Sequence, residues 1–82
     1  MTKREKLIER IRKRPPEADF SDVKALLEDF GWVLVRTRGS HNHFRKPGET
    51  IIVTVPVIGG RKVDRTYLSK IVDLLGLDEQ GQ

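Results

Sequence analysis

Three strand-like runs and two turn signals stand in residues 32–56, WVLVRTRGSHNHFRKPGETIIVTVP. Residues 32–37 are rich in β-branched and aromatic side chains, the composition of a strand. Arg38-Gly39 punctuates this run, residues 40–46 form a second extended stretch, and Pro47-Gly48-Glu49 marks a turn. Residues 50–55 (Thr-Ile-Ile-Val-Thr-Val) are the plainest strand in the chain, ended by Pro56. Connections this short join antiparallel neighbours, so a three-stranded meander is expected. On the first strand Trp32 and Leu34 share one face, Val33 and Val35 the other. Both faces are apolar, so alternation alone does not choose the one that meets the core.

Outward from the meander the periodicity changes to helical. Thr2 and Glu5 have the spacing of a capping box, and Leu7, Ile8 and Ile11 recur as a helix requires. Glu9 and Lys13 are placed to pair at i,i+4. Arg10, Arg12, Lys13 and Arg14 sit where the helix C-terminus is negative, and Pro15-Pro16 stops the helix. A second helix is expected from Ser21 as N-cap, with Phe20 before it. Its stripe is Val23, Leu26, Leu27 and Phe30, and Gly31 closes it. Beyond the meander, Gly59-Gly60-Arg61-Lys62 reads as a flexible basic loop. Asp64 can cap a last helix bearing Leu68, Ile71, Val72 and Leu75, closed by Gly76, and residues 78–82 are expected to fray. The order helix, helix, three strands, helix gives an α+β two-layer domain, with helices on one face of an antiparallel sheet and the other face open.

At 82 residues, with 34% charged and 37% hydrophobic side chains, the chain is expected to be one domain with a modest core and to work at a surface groove. It has no Cys, hence no disulfide and no thiolate ligand or nucleophile. No run approaches the roughly 18–20 apolar residues of a membrane span, and Met1-Thr2-Lys3-Arg4-Glu5 leads into a charged helix rather than an apolar signal core. A cytoplasmic protein without a membrane partner is the expectation. The net charge is +4, but residues 32–70 hold Arg36, Arg38, Arg45, Lys46, Arg61, Lys62, Arg65 and Lys70 against only Glu49 and Asp64. Solvated surface cations alone would account for the total. Their concentration in one segment points to a polyanion, nucleic acid before membrane.

Both histidines stand in that segment. Strand alternation puts His41, His43 and Arg45 on one face, and Asn42, Phe44 and Lys46 on the other. Phe44 is the natural core residue, so the histidines should face solvent, about 6–7 Å apart along the strand. An imidazole exchanges protons near neutral pH. Beside Arg36, Arg38 and Arg45 it could take the proton of an RNA 2′-hydroxyl while the cations stabilise charge on phosphorus. Two strand histidines are also commonly inert. Spacing supplies no third ligand for a metal, no Ser-His-Asp order and no phosphate-binding glycine loop, so neither metal nor cofactor is expected.

As an ordered set, Phe30-Gly31-Trp32, Val35-Arg36, Gly39-Ser40-His41, Phe44-Arg45, Val53-Thr54-Val55-Pro56, Gly59-Gly60 and Leu68-x-x-Ile71 resembles the HicA family, the mRNA-cleaving toxins of type II toxin–antitoxin modules. The resemblance implies a double-stranded-RNA-binding-domain-like fold over residues 20–77, with the helix at 3–14 as an N-terminal extension of a single domain, 1–82. It implies metal-independent endoribonuclease activity on mRNA, His41 as the catalytic histidine, and a HicB-type antitoxin that covers the active face. His43 lies outside the motif; its role as a second acid or base is a separate expectation from the strand geometry. Arg36, Arg38, Gly39, Ser40, Arg45, Lys46, Arg61 and Lys62 are the candidate RNA contacts. The competing expectations are a non-catalytic RNA-binding module of the same fold and a domain that only docks a protein.

Overall fold

The computed structural model describes residues 2–80, with side chains through Asp78. In chain order the elements are α1 (Lys3–Arg12), β1 (Glu17–Asp19), α2 (Phe20–Asp29), β2 (Val33–Arg38), β3 (His41–Arg45), β4 (Val53–Pro56), β5 (Lys62–Asp64), α3 (Arg65–Leu75) and α4 (Leu77–Gln80). The meander is present as the antiparallel sheet β2-β3-β4. Its covered face turns Leu34, Phe44 and Val55 toward Val23, Leu26 and Leu27 of α2 and Leu68, Ile71 and Val72 of α3. The Phe20 and Phe44 rings stand 6.3 Å apart in a tilted pair. Trp32 is buried while Val33 and Val35 are more than half exposed, which settles the face that alternation left open. The order α2, three antiparallel strands, α3 is that of the double-stranded-RNA-binding-domain-like fold, here with α1 added.

The first helix begins with the capping box read from the sequence: the Thr2 hydroxyl accepts from the Glu5 backbone N–H, and the Glu5 carboxylate accepts from the Thr2 N–H. Leu7 and Ile11 are its buried residues, and α1 packs against α2, α3 and α4. Burying two such side chains is worth roughly 1.5–3 kcal/mol each. The expected Glu9–Lys13 pair is replaced by Glu9–Arg12, 2.6 Å, within the last turn.

Four other expectations are corrected. Residues 50–52 are not strand, because β3 ends at Arg45 and the last paired residues are Phe44 and Val53. Lys46–Glu49 turns the chain away, with the Glu49 N–H donating to the Lys46 carbonyl and Gly48 at φ 88°, the Pro-Gly pattern of a type II turn. Nothing is left opposite Thr50–Ile52 to pair with.

Ser21 is not the cap of α2. Asp19 occupies that position and makes no side-chain cap bond, since its carboxylate accepts from Lys62 Nζ at 2.6 Å. The supposed flexible loop at 59–62 is a tight reversal, with Ile58 and Lys62 exchanging backbone hydrogen bonds across Gly59-Gly60. It leads into β5, which pairs antiparallel with β1, Ala18 opposite Val63 and Asp19 opposite Lys62. This second sheet leads into both helices from its opposite ends, the Phe20 N–H donating to the Arg61 carbonyl and the Arg65 N–H to the Pro16 carbonyl. Finally, Leu77–Gln80 is a helical turn anchored by buried Leu77. The fraying expected at 78–82 therefore does not hold through Gln80, and Gly81 and Gln82 lie outside the described residues.

Candidate active site

The turn between β2 and β3 positions the histidines. Arg38 is paired with His41, leaving Gly39-Ser40 as a two-residue hairpin loop. Gly39 holds φ 60° and Ser40 does not share the positive sign. This is the type II′ arrangement, in which glycine belongs at the first central position. Gly-Ser is thus the corner that sets His41 at the first residue of β3.

From that corner alternation runs as the sequence predicts. His41 and Arg45 are exposed, His43 is half-buried, and Asn42 and Phe44 are buried on the other face. Across the ladder His41 faces Arg38 on β2 and Pro56 on β4, and His43 faces Arg36 and Thr54. The His43 ring is fixed by a hydrogen bond between Nδ1 and Thr54 Oγ1, 3.0 Å.

A β-bulge completes the cluster. Pairing shifts by one residue between Leu34 and Arg36, with Val35 extra. Strict alternation would send Arg36 and Arg38 to the face of Leu34, toward the core. The bulge turns both to the open face instead, a use of bulges common beside functional sites. The face that results carries Arg36, Arg38, His43 and Arg45 around a shallow groove of about 470 Å³, floored by Val35 and Ile52.

Beneath the histidines, Asn42 ties the three strands together. Its Oδ1 accepts from the Thr37 hydroxyl at 3.0 Å, and its Nδ2 donates to the Val55 carbonyl at 3.2 Å and the Ser40 carbonyl at 3.5 Å. This holds β2, the turn and β4 in register on the covered side while the histidines stand on the open side.

The remaining sequence-predicted contacts lie elsewhere. The stem of Lys46 passes over Gly31, whose φ of 92° and close approach to that stem leave little room for a Cβ. Arg61 and Lys62 belong to the reversal and strand of the other sheet. The Lys62 ammonium is occupied by Asp19, whose carboxylate holds the lysine pKa above its ordinary value. Thr54 and Asn42 were not singled out from sequence as site residues. Asn42 did carry a signal, an amide on the Phe44 face that needs buried partners. The partnership of Thr54 with His43 depends on register, which no local pattern states. Among the described residues no group of three or more His, Asp or Glu gathers as a metal site.

An open basic sheet face bearing two histidines, backed by helices, defines the class: a small α+β protein with one face of its three-stranded sheet left uncovered. A family model described as the HicA toxin of bacterial toxin-antitoxin matches residues 20–77. The chain belongs to that family and is the toxin half of a toxin–antitoxin pair, so an antitoxin partner comes with it. No curated protein and no solved structure gives a match. No helix among the described residues is long and apolar enough to cross a membrane.

Proposed function

We propose that this toxin is a cytoplasmic endoribonuclease that cuts mRNA by transesterification, with His41 as general base. The single observation that carries this reading is the exposed His41 on the open sheet face, directly across the ladder from Arg38, at the turn end of the groove that Arg36, Arg38 and Arg45 line. His41 takes the proton of a ribose 2′-hydroxyl. The oxygen attacks the adjacent phosphorus, the bond from phosphorus to the 5′-oxygen breaks, and a 2′,3′-cyclic phosphate remains. The arginines hold the phosphodiester and stabilise the extra negative charge on phosphorus. Gly39 and Ser40 shape the approach to His41, and the Ser40 hydroxyl is available to a phosphate oxygen. Lys46 and Arg61 serve only to extend contact with the RNA backbone, while Lys62 is taken up by Asp19.

In this reading residues 1–82 act as one domain, with the core at 20–77 and residues 3–14 as an extension that braces it. A HicB-type antitoxin silences the enzyme by covering the open face, where Val33, Val35 and Ile52 offer apolar surface among the arginines. Expression of the wild-type chain without its antitoxin should arrest bacterial growth and fragment transcripts. His41→Ala should abolish both while still binding the antitoxin. Intact RNA during arrest by the wild-type chain would point instead to a toxin that binds RNA without cutting it.

A further inference from the structure

We infer that His43 is the general acid of the cleavage step and that Thr54 is its positioning residue. This rests on the endoribonuclease reading and deepens it. Transesterification needs two proton transfers: one from the 2′-oxygen, and one to the 5′-oxygen as it leaves. The two rings are two residues apart on one strand face, about 6–7 Å by the rise of a strand, a span that places a phosphodiester between them.

Their environments differ: of the two, only the His43 ring has a side-chain hydrogen bond among the described residues. His41 is exposed at the corner, while His43 is half-buried and its Nδ1 is bonded to Thr54 Oγ1 at 3.0 Å. With Nδ1–H donating to that hydroxyl, Nδ1 keeps its proton in both the charged and the neutral ring. Exchange is then confined to Nε2, the other nitrogen. As the 2′-oxygen bonds to phosphorus and gives its proton to His41, the bond from phosphorus to the 5′-oxygen breaks and that oxygen takes the Nε2 proton of His43. The charged groups around the ring are Arg36 opposite on β2, with Arg38 and Arg45 beside it; the titratable His41 shares its strand. β4 contributes the uncharged Thr54 and Pro56.

The test compares two RNA oligonucleotides, one ordinary and one with sulfur replacing the bridging 5′-oxygen at the cleaved bond. A thiolate leaves without being protonated. On the ordinary RNA, His43→Ala and His43→Asn should each lose roughly 10²–10⁴ in kcat, the usual size of an acid's contribution. Both variants should cleave the sulfur-bridged RNA close to the wild-type rate, which also proves that they fold. His41→Ala should fail on both substrates. Thr54→Val should lower kcat on the ordinary RNA with KM unchanged and leave the sulfur-bridged RNA unaffected, and Thr54→Ser should restore the rate. Wild-type cleavage with the His43 variants equally impaired on both RNAs, or unimpaired on both, overturns the inference alone. No cleavage of either RNA by the wild-type chain overturns the endoribonuclease reading and this inference with it.

Discussion

Asn42 stands between the two histidines in sequence and beneath them in space, and its amide is the polar tie of a sheet otherwise closed by apolar packing. Asn42→Leu would leave the Val55 carbonyl and the Thr37 hydroxyl without that partner. An unmade bond of this kind costs about 1–3 kcal/mol, and a denaturant titration should find the midpoint lowered accordingly. Much at this scale was legible beforehand. Period-two alternation from Phe44 was enough to send His41 and His43 outward and Asn42 inward. The facing of Arg36 was not legible, because a single extra residue at Val35 reverses the parity of everything after it, and nothing local to Val-Leu-Val-Arg marks where a bulge falls.

At the scale of elements, α1 and α3 were legible because each carries its own signal, a Thr2–Glu5 box on α1 and Gly76 at φ 64° closing α3, whereas α4 follows that glycine with no signal of its own. The sheet of β1 and β5 was not. Each strand is three residues long, too short for alternation to register, and the pairing joins Glu17–Asp19 to Lys62–Asp64 across about half of the chain. What specifies it is tertiary: Ala18 and Val63 are buried in the common core, and β1 and β5 both pack against α2 and α3. The helix α1 lies against those same two helices. Ile11 is fully buried in the common core, so Ile11→Ala should cost about 2–5 kcal/mol. That is a large part of the roughly 5–15 kcal/mol that holds a domain together. A thermal melt of the variant should show a single transition at lower temperature. If α1 were a loosely attached extension, the melt would not move.

Across the whole molecule, Arg14 links the two ends of the chain. It holds φ 52°, a left-handed conformation that costs a non-glycine residue roughly 1–2 kcal/mol. Its guanidinium bonds Asp78 at 2.9 Å and reaches Asp73 at 3.5 Å, and its carbonyl accepts from Arg65 Nε. The hydrogen bond from Arg14 holds the Asp78 carboxyl below its ordinary pKa. Lys62 does the same for Asp19, and Arg12 for Glu9. Each carboxyl therefore binds protons more readily in the unfolded chain. Its contribution to stability is present above the ordinary carboxyl range of about 3.9–4.3 and is lost as pH falls through the lower folded values. The melting temperature should decline as pH is lowered through that range, and Asp78→Asn should make the decline shallower. An unchanged slope in that variant would contradict the ion pair.

The open face is the other feature of the whole molecule. Arginines there should make RNA affinity fall with salt, each lost phosphate contact reducing the logarithmic slope by about 0.7 on single strands. Removing Arg36, Arg38 or Arg45 one at a time, with binding followed in His41→Ala protein across a salt series, checks this. The central claim rests on a single imidazole. The most direct measurement incubates the purified chain with end-labelled RNA in a chelator and identifies the new termini. The account predicts 2′,3′-cyclic phosphate ends from the wild-type chain and none from His41→Ala. Equal cleavage by that variant, or fragments ending in a 3′-hydroxyl, would contradict it.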